Sequence, residues 1–134
     1  MLNFSKIKAL TPKELLLMDG IGALVSAAFL GLILPSLSPY IGLPDEVLYF
    51  LALLPVLFAI FDFGCYFFKS SGFKSALKIM VVANALYCVL SIICLGYHFD
   101  ALGNLGWVYF ILEILILLVL IKVEWEVVVK DKAV

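Results

Sequence analysis

Apolar residues fill four long runs of this chain, at about 12–37, 44–68, 74–97 and 104–126, and short breaks rich in proline, glycine or charge separate them. Each run predicts a helix long enough to cross a bilayer, since about 20 helical residues span roughly 30 Å of hydrocarbon. The expected fold is therefore all-α: one four-transmembrane-helix bundle occupying residues 1–134 as a single transmembrane domain.

Local signals support the boundaries. Thr11-Pro12-Lys13-Glu14 reads as an N-cap threonine, a proline at the first helical position and a capping-box glutamate. The first run is too long, and carries Asp19 too early, to be a cleaved signal peptide. Leu43-Pro44-Asp45-Glu46 opens the second helix, with two acids complementing the helix dipole. Pro55 lies inside that helix and removes a backbone hydrogen bond, so a kink and a neighbour or cavity are expected there. Before the first run, Phe4, Ile7 and Leu10 are spaced for a short helix on the membrane surface or a frayed terminus. After the last, residues 122–134 are expected to carry the final helix into the interface before it frays.

Composition agrees with a membrane setting. Of 134 residues, 66% are hydrophobic and 14% charged, with a mean hydropathy of +1.22. Soluble domains run about 45–50% apolar and about 25% charged. The net charge of −1 decides nothing, but the placement of charge does. All nine basic residues are lysines, and they fall at the N-terminus, in the 69–78 turn and from 122 onward. The loops around 35–42 and 96–104 contain none. The positive-inside rule then predicts both termini in the cytoplasm.

Without arginine the chain lacks bidentate clamps for phosphate, and without a concentrated basic face nucleic acid is not an expected partner. Cys65, Cys88 and Cys94 form no C-x-x-C motif, and the last two lie about 9 Å apart along one helix, too far to bridge. They read as small buried residues. His98 alone cannot supply a multi-histidine metal or haem site, and no cofactor is expected. No nucleophile–base–orienter set and no phosphate loop is visible, so an enzyme ranks last among the function classes.

The candidate chemistry is a set of polar residues inside the runs. Glu113 sits in the middle of the fourth run, where an ionisable group costs roughly 2.5–3.5 kcal/mol on insertion scales. Asn84, Tyr87, Cys88, Ser91 and His98 fall on one side of the third helix at about 100° per residue, predicting a wet or partner-facing side. Asp19 and Asp62 are placed about 10 Å inside the cytoplasmic edge at 1.5 Å per residue. The predicted ligand- or proton-binding residues are thus Glu113, Asn84, Tyr87, Asp19, Asp62 and Ser91. They are expected in two tiers, Asn84, Glu113 and Tyr87 above and Asp19 with Asp62 below. Purely structural roles stay open: interhelical glue for the upper set, and pairing with Lys13, Lys69 or Lys78 for the lower acids. Tyr40, Tyr97, Trp107 and Trp125 read as interface anchors.

Helix one also carries Ala23, Ala27 and Gly31 at every fourth position, with Gly22 and Ser26 related in the same way, a pattern that lets helices approach closely. Two function classes follow. One is a carrier or binding protein for a proton, a cation or a small amphipathic ligand. The other is an accessory or scaffold subunit that docks through this strip onto a second copy or a larger membrane partner. The stretches Asp19-Gly-Ile-Gly-Ala-Leu-Val-Ser26 and Asn84-Ala-Leu-Tyr-Cys88 resemble small bacterial four-helix membrane proteins that carry no assigned activity. That resemblance implies an inner-membrane location and no particular chemistry.

Overall fold

A computed structural model of the chain describes residues 11–132, and the short surface helix expected before Thr11 lies outside them. Four long helices form: α1 (Pro12–Ser36), α2 (Asp45–Phe68), α3 (Phe73–Tyr97) and α4 (Asn104–Lys132). Each is long and apolar enough to span a membrane, with mean hydropathies of 2.0 to 2.4 over its most apolar stretch. Large apolar side chains such as Ile21, Leu32, Ile60, Ile93 and Ile116 point outward, as a hydrocarbon solvent permits.

Helix α4 runs to Lys132, and Val123, Val127 and Val128 in its last turns pack inward. The capping box at α1 forms as its sequence requires. Thr11 Oγ1 accepts from the Glu14 amide at 3.2 Å, and the Glu14 carboxylate accepts from the Thr11 amide at 3.0 Å. Residues Phe29–Ile33 of α1 widen into one π-helical turn. Helix α2 continues through Pro55, which is buried.

Helix α1 packs most extensively on α2, and α3 on α4, while α1 and α3 meet across the middle. Two apolar clusters result. One gathers Leu30, Leu34, Leu48, Leu51 and Phe110, and the other gathers Leu15, Leu16, Leu77, Met80 and Val123 near the chain termini. Close approach of α1 to α2 depends on Gly20, where a Cβ would stand 3.1 Å from the Asp62 Cβ and 3.1 Å from the Phe63 ring. Farther along, Gly31 faces Ala52. The small-residue strip of α1 is therefore largely spent inside the bundle, with Ala23 and Ala27 half-buried and Gly22 alone exposed.

The end away from the termini is closed by loops. A helical turn at Ser38–Ile41 precedes Gly42, whose φ of +90° places it in the left-handed region that glycine tolerates. The Gly103 amide donates to the Ile41 carbonyl at 3.0 Å, locking the two loops together. A shallow depression here is lined by Pro39, Tyr40, Asn104 and Val108, and its lining includes none of Glu113, Asn84 and Tyr87.

Candidate functional site

Helix α3 turns the predicted side inward. Asn84, Tyr87, Cys88 and Ser91 are all buried, together with Leu77, Met80 and Leu95 on the same face. His98 caps the helix end, its Nδ1 3.1 Å from the Cys94 carbonyl. This face supplies one member to each of two polar clusters.

The upper cluster centres on Glu113. Ser26 Oγ and Tyr109 OH both donate to Glu113 Oε2, the latter at 2.9 Å, and Tyr87 OH donates to Oε1 at 3.1 Å. Three helices thus contribute to one carboxyl group. The π-turn of α1 begins just past Ser26, and its Phe29 stacks on the Tyr109 ring at 5.8 Å with planes 29° apart. Tyr87 is braced from the other side by Phe58 of α2, edge to face at 6.2 Å. Glu113 itself is half-buried.

The lower cluster draws one residue from every helix. Asn84 Nδ2 donates to Asp19 Oδ1 at 2.9 Å. The Asp19 carboxyl lies beside those of Asp62 and Glu124, and Asn84 also stands near Glu124. All four are sealed: Asp62 and Glu124 are 0% exposed, Asp19 and Asn84 3%. Written as carboxylates, Asp19 Oδ2 and both oxygens of Asp62 and of Glu124 have no hydrogen-bond donor. A carboxylate in hydrocarbon without donor or counter-ion costs several kcal/mol.

Two sequence expectations need correction. Asn84 belongs with Asp19 in the lower cluster, not with Glu113. Counting residues from a helix end ignores the vertical offset between neighbouring helices, and Asn84 and Tyr87 reach opposite ways from adjacent turns. Among the described residues, neither Asp19 nor Asp62 pairs with a lysine at the membrane edge either. Lys13 instead sits over the rings of Tyr66 and Phe73, 5.1 and 5.4 Å from their centroids, closing the bundle below the acids. Ser91, one turn beyond Tyr87 on the same face of α3, is buried with its hydroxyl near that of Tyr87 at the edge of the upper cluster.

Three participants escaped the sequence reading. Tyr109 is four residues before Glu113, and that spacing puts both on one helix face. Ser26 enters the sequence reading only as part of the small-residue strip of α1, and its hydroxyl donates to Glu113. Glu124 carried the opposite signal, lying beside Lys122 and Trp125 in a stretch that reads as interface. Among the described residues, no group of three or more His, Cys, Asp or Glu is arranged to hold a metal ion.

No protein-family model, curated protein or solved structure matches this chain.

Proposed function

We propose that this is a four-span inner-membrane protein, both termini cytoplasmic, whose interior binds and exchanges protons at Asp19, Asp62 and Glu124. The lysine distribution supports the orientation, because all nine lysines fall in the sequence before the first span, around the 69–78 turn or from 122 onward, and none in the 35–42 and 96–104 loops. The observation that carries the functional reading is the set of adjoining carboxyl groups with unmatched oxygens.

Two ionised carboxylates 4 Å apart repel by about 4 kcal/mol at an effective dielectric of 20. Adjacent acids resolve such repulsion by sharing protons, each proton turning one acceptor into a donor for its neighbour. With protons bound, the unmatched oxygens of Asp62 and Glu124 acquire partners within the cluster. Asn84 holds Asp19 at the centre. Lys13, on its aromatic seat, stands between the cluster and the aqueous side where protons enter or leave. Glu113, Tyr87 and Tyr109 form a second protonatable station about 10 Å farther along α1, judged by the spacing of Asp19 and Ser26.

Difference infrared spectroscopy of the protein in lipid discs tests this directly. The expected spectrum at neutral pH contains a protonated-carboxyl absorption that exchanges with deuterium and shrinks in Asp62→Asn and Glu124→Gln. A spectrum showing every acid as carboxylate at that pH would refute the reading and leave the accessory-subunit role standing.

A further inference from the structure

The two ends of the bundle are held differently. At the end away from the termini, backbone lies on backbone. A Cβ on Gly103 would collide with the Tyr40 carbonyl and one on Gly106 with the Ile41 carbonyl, and the Gly103 amide donates to Ile41 at 3.0 Å. At the end that carries the termini the contacts are between side chains. Leu15, Leu16, Leu77 and Met80 are buried there and form an apolar layer with Cys65 and Val123. Outside that layer Lys13 of α1 reaches over Tyr66 of α2 and Phe73 of α3, so one ammonium bridges three helices.

This bridge stands on the helices of the acids, nearer their ends. Lys13 is six residues before Asp19, and Tyr66 is four after Asp62 on the same side of α2. Lys13 is exposed whereas Asp62 and Glu124 are fully buried, so water meets the ammonium and stops short of the carboxyls. A cation over one ring at an exposed site favours the closed contact by a factor of only about two to five. Such a contact opens more readily than interlocked backbone, and local openings of this kind are how sealed groups meet solvent.

Resting on the proton-exchange reading above, we propose that Lys13, Tyr66 and Phe73 form a clasp whose release opens the apolar layer. Water, and with it protons, then reaches Asp19, Asp62 and Glu124. The far end stays shut, so the acids equilibrate with one side of the membrane, at a rate set by the clasp.

Cys65 is a natural reporter, a free thiol buried in the apolar layer three residues from Asp62. The test follows its alkylation by iodoacetamide in the full chain in lipid discs, with modified sites resolved by mass spectrometry. Deuterium exchange of the protonated-carboxyl infrared band is followed in parallel. Lys13→Met, which loses both ring contacts, is expected to speed both processes at least about fivefold. Lys13→Arg keeps the cation and is expected to leave both within about twofold of the unsubstituted protein. Tyr66→Leu is expected to speed both about two- to fivefold, and to add nothing in the Lys13→Met background. Tyr66 is the ring replaced because Phe73 also packs on the apolar layer. Cys88, buried on α3 four residues past Asn84, is expected to keep its rate, which separates opening at this end from general loosening. An unchanged Cys65 rate, equal acceleration at Cys88, or independent effects of the two substitutions overturns the proposal. Should Lys13→Met fail to fold, Tyr66→Leu alone carries the test. A spectrum without the protonated band removes the proton reading, and Cys65 still decides the clasp. A band whose exchange ignores Lys13→Met overturns the clasp and leaves the proton reading standing.

Discussion

Asn84 of α3 donates to Asp19 of α1 across the centre of the bundle, its Nδ2 2.9 Å from Asp19 Oδ1. That bond joins the two helices that meet in the middle and presents the Asp19 carboxyl to Asp62 on one side and Glu124 on the other.

Replacing Asn84 by leucine keeps the volume and deletes the donor. Hydrogen bonds between membrane helices are worth about 0.6 kcal/mol on average and up to about 1.7. A loss at the upper end of that range is expected, because both residues are buried and Asp19 would gain another unmatched oxygen. Unfolding in mixed micelles with increasing denaturing detergent measures it.

Asp62→Asn separates a proton-sharing cluster from a charged one. An amide has the shape of a protonated acid and brings its own donors, so stability is expected to change by less than about 1 kcal/mol. A buried carboxylate held by a counter-ion would instead lose about 3–5 kcal/mol when its ionic partner network is broken. The same unfolding assay decides between them, and Glu124→Gln repeats the test from α4.

Gly20→Leu probes the α1–α2 contact. The added side chain would enter space already occupied by the Asp62 Cβ and the Phe63 ring, so overpacking of about 1–3 kcal/mol is expected. Gly22→Leu two residues away, where the position is open, is expected to be neutral within about 0.5 kcal/mol. The pair of variants reports which face of α1 is inside.

Orientation is read with reporter fusions. A fluorescent protein joined after Val134 is expected to fluoresce in cells. Alkaline phosphatase fused in the loop near Asn104 is expected to be active, and at Ser71 inactive. The reverse pattern would invert the assigned topology and place the acid cluster at the opposite membrane edge.

Much of the architecture was legible before any coordinates. Four apolar runs, the capping box at Thr11, the proline–acid start of α2 and the polar side of α3 each follow from local chemistry. Local chemistry is what a single helix in hydrocarbon obeys, since its backbone bonds are all internal and its length is set by the bilayer. The involvement of Glu113, Asp19, Asp62 and Asn84 in inward polar contacts was legible for a related reason: in hydrocarbon a polar side chain is driven to find partners inside the protein.

The grouping of those residues was not legible, because it depends on how four helices are offset along their axes and rotated about them. The tertiary structure alone moved Asn84 to Asp19, brought Ser26 and Tyr109 to Glu113, and turned Glu124 of α4 inward among the acids. Periodicity tells which side of a helix is polar. Only packing, through contacts such as Gly20 on Asp62 and Phe29 on Tyr109, determines which polar sides share a level.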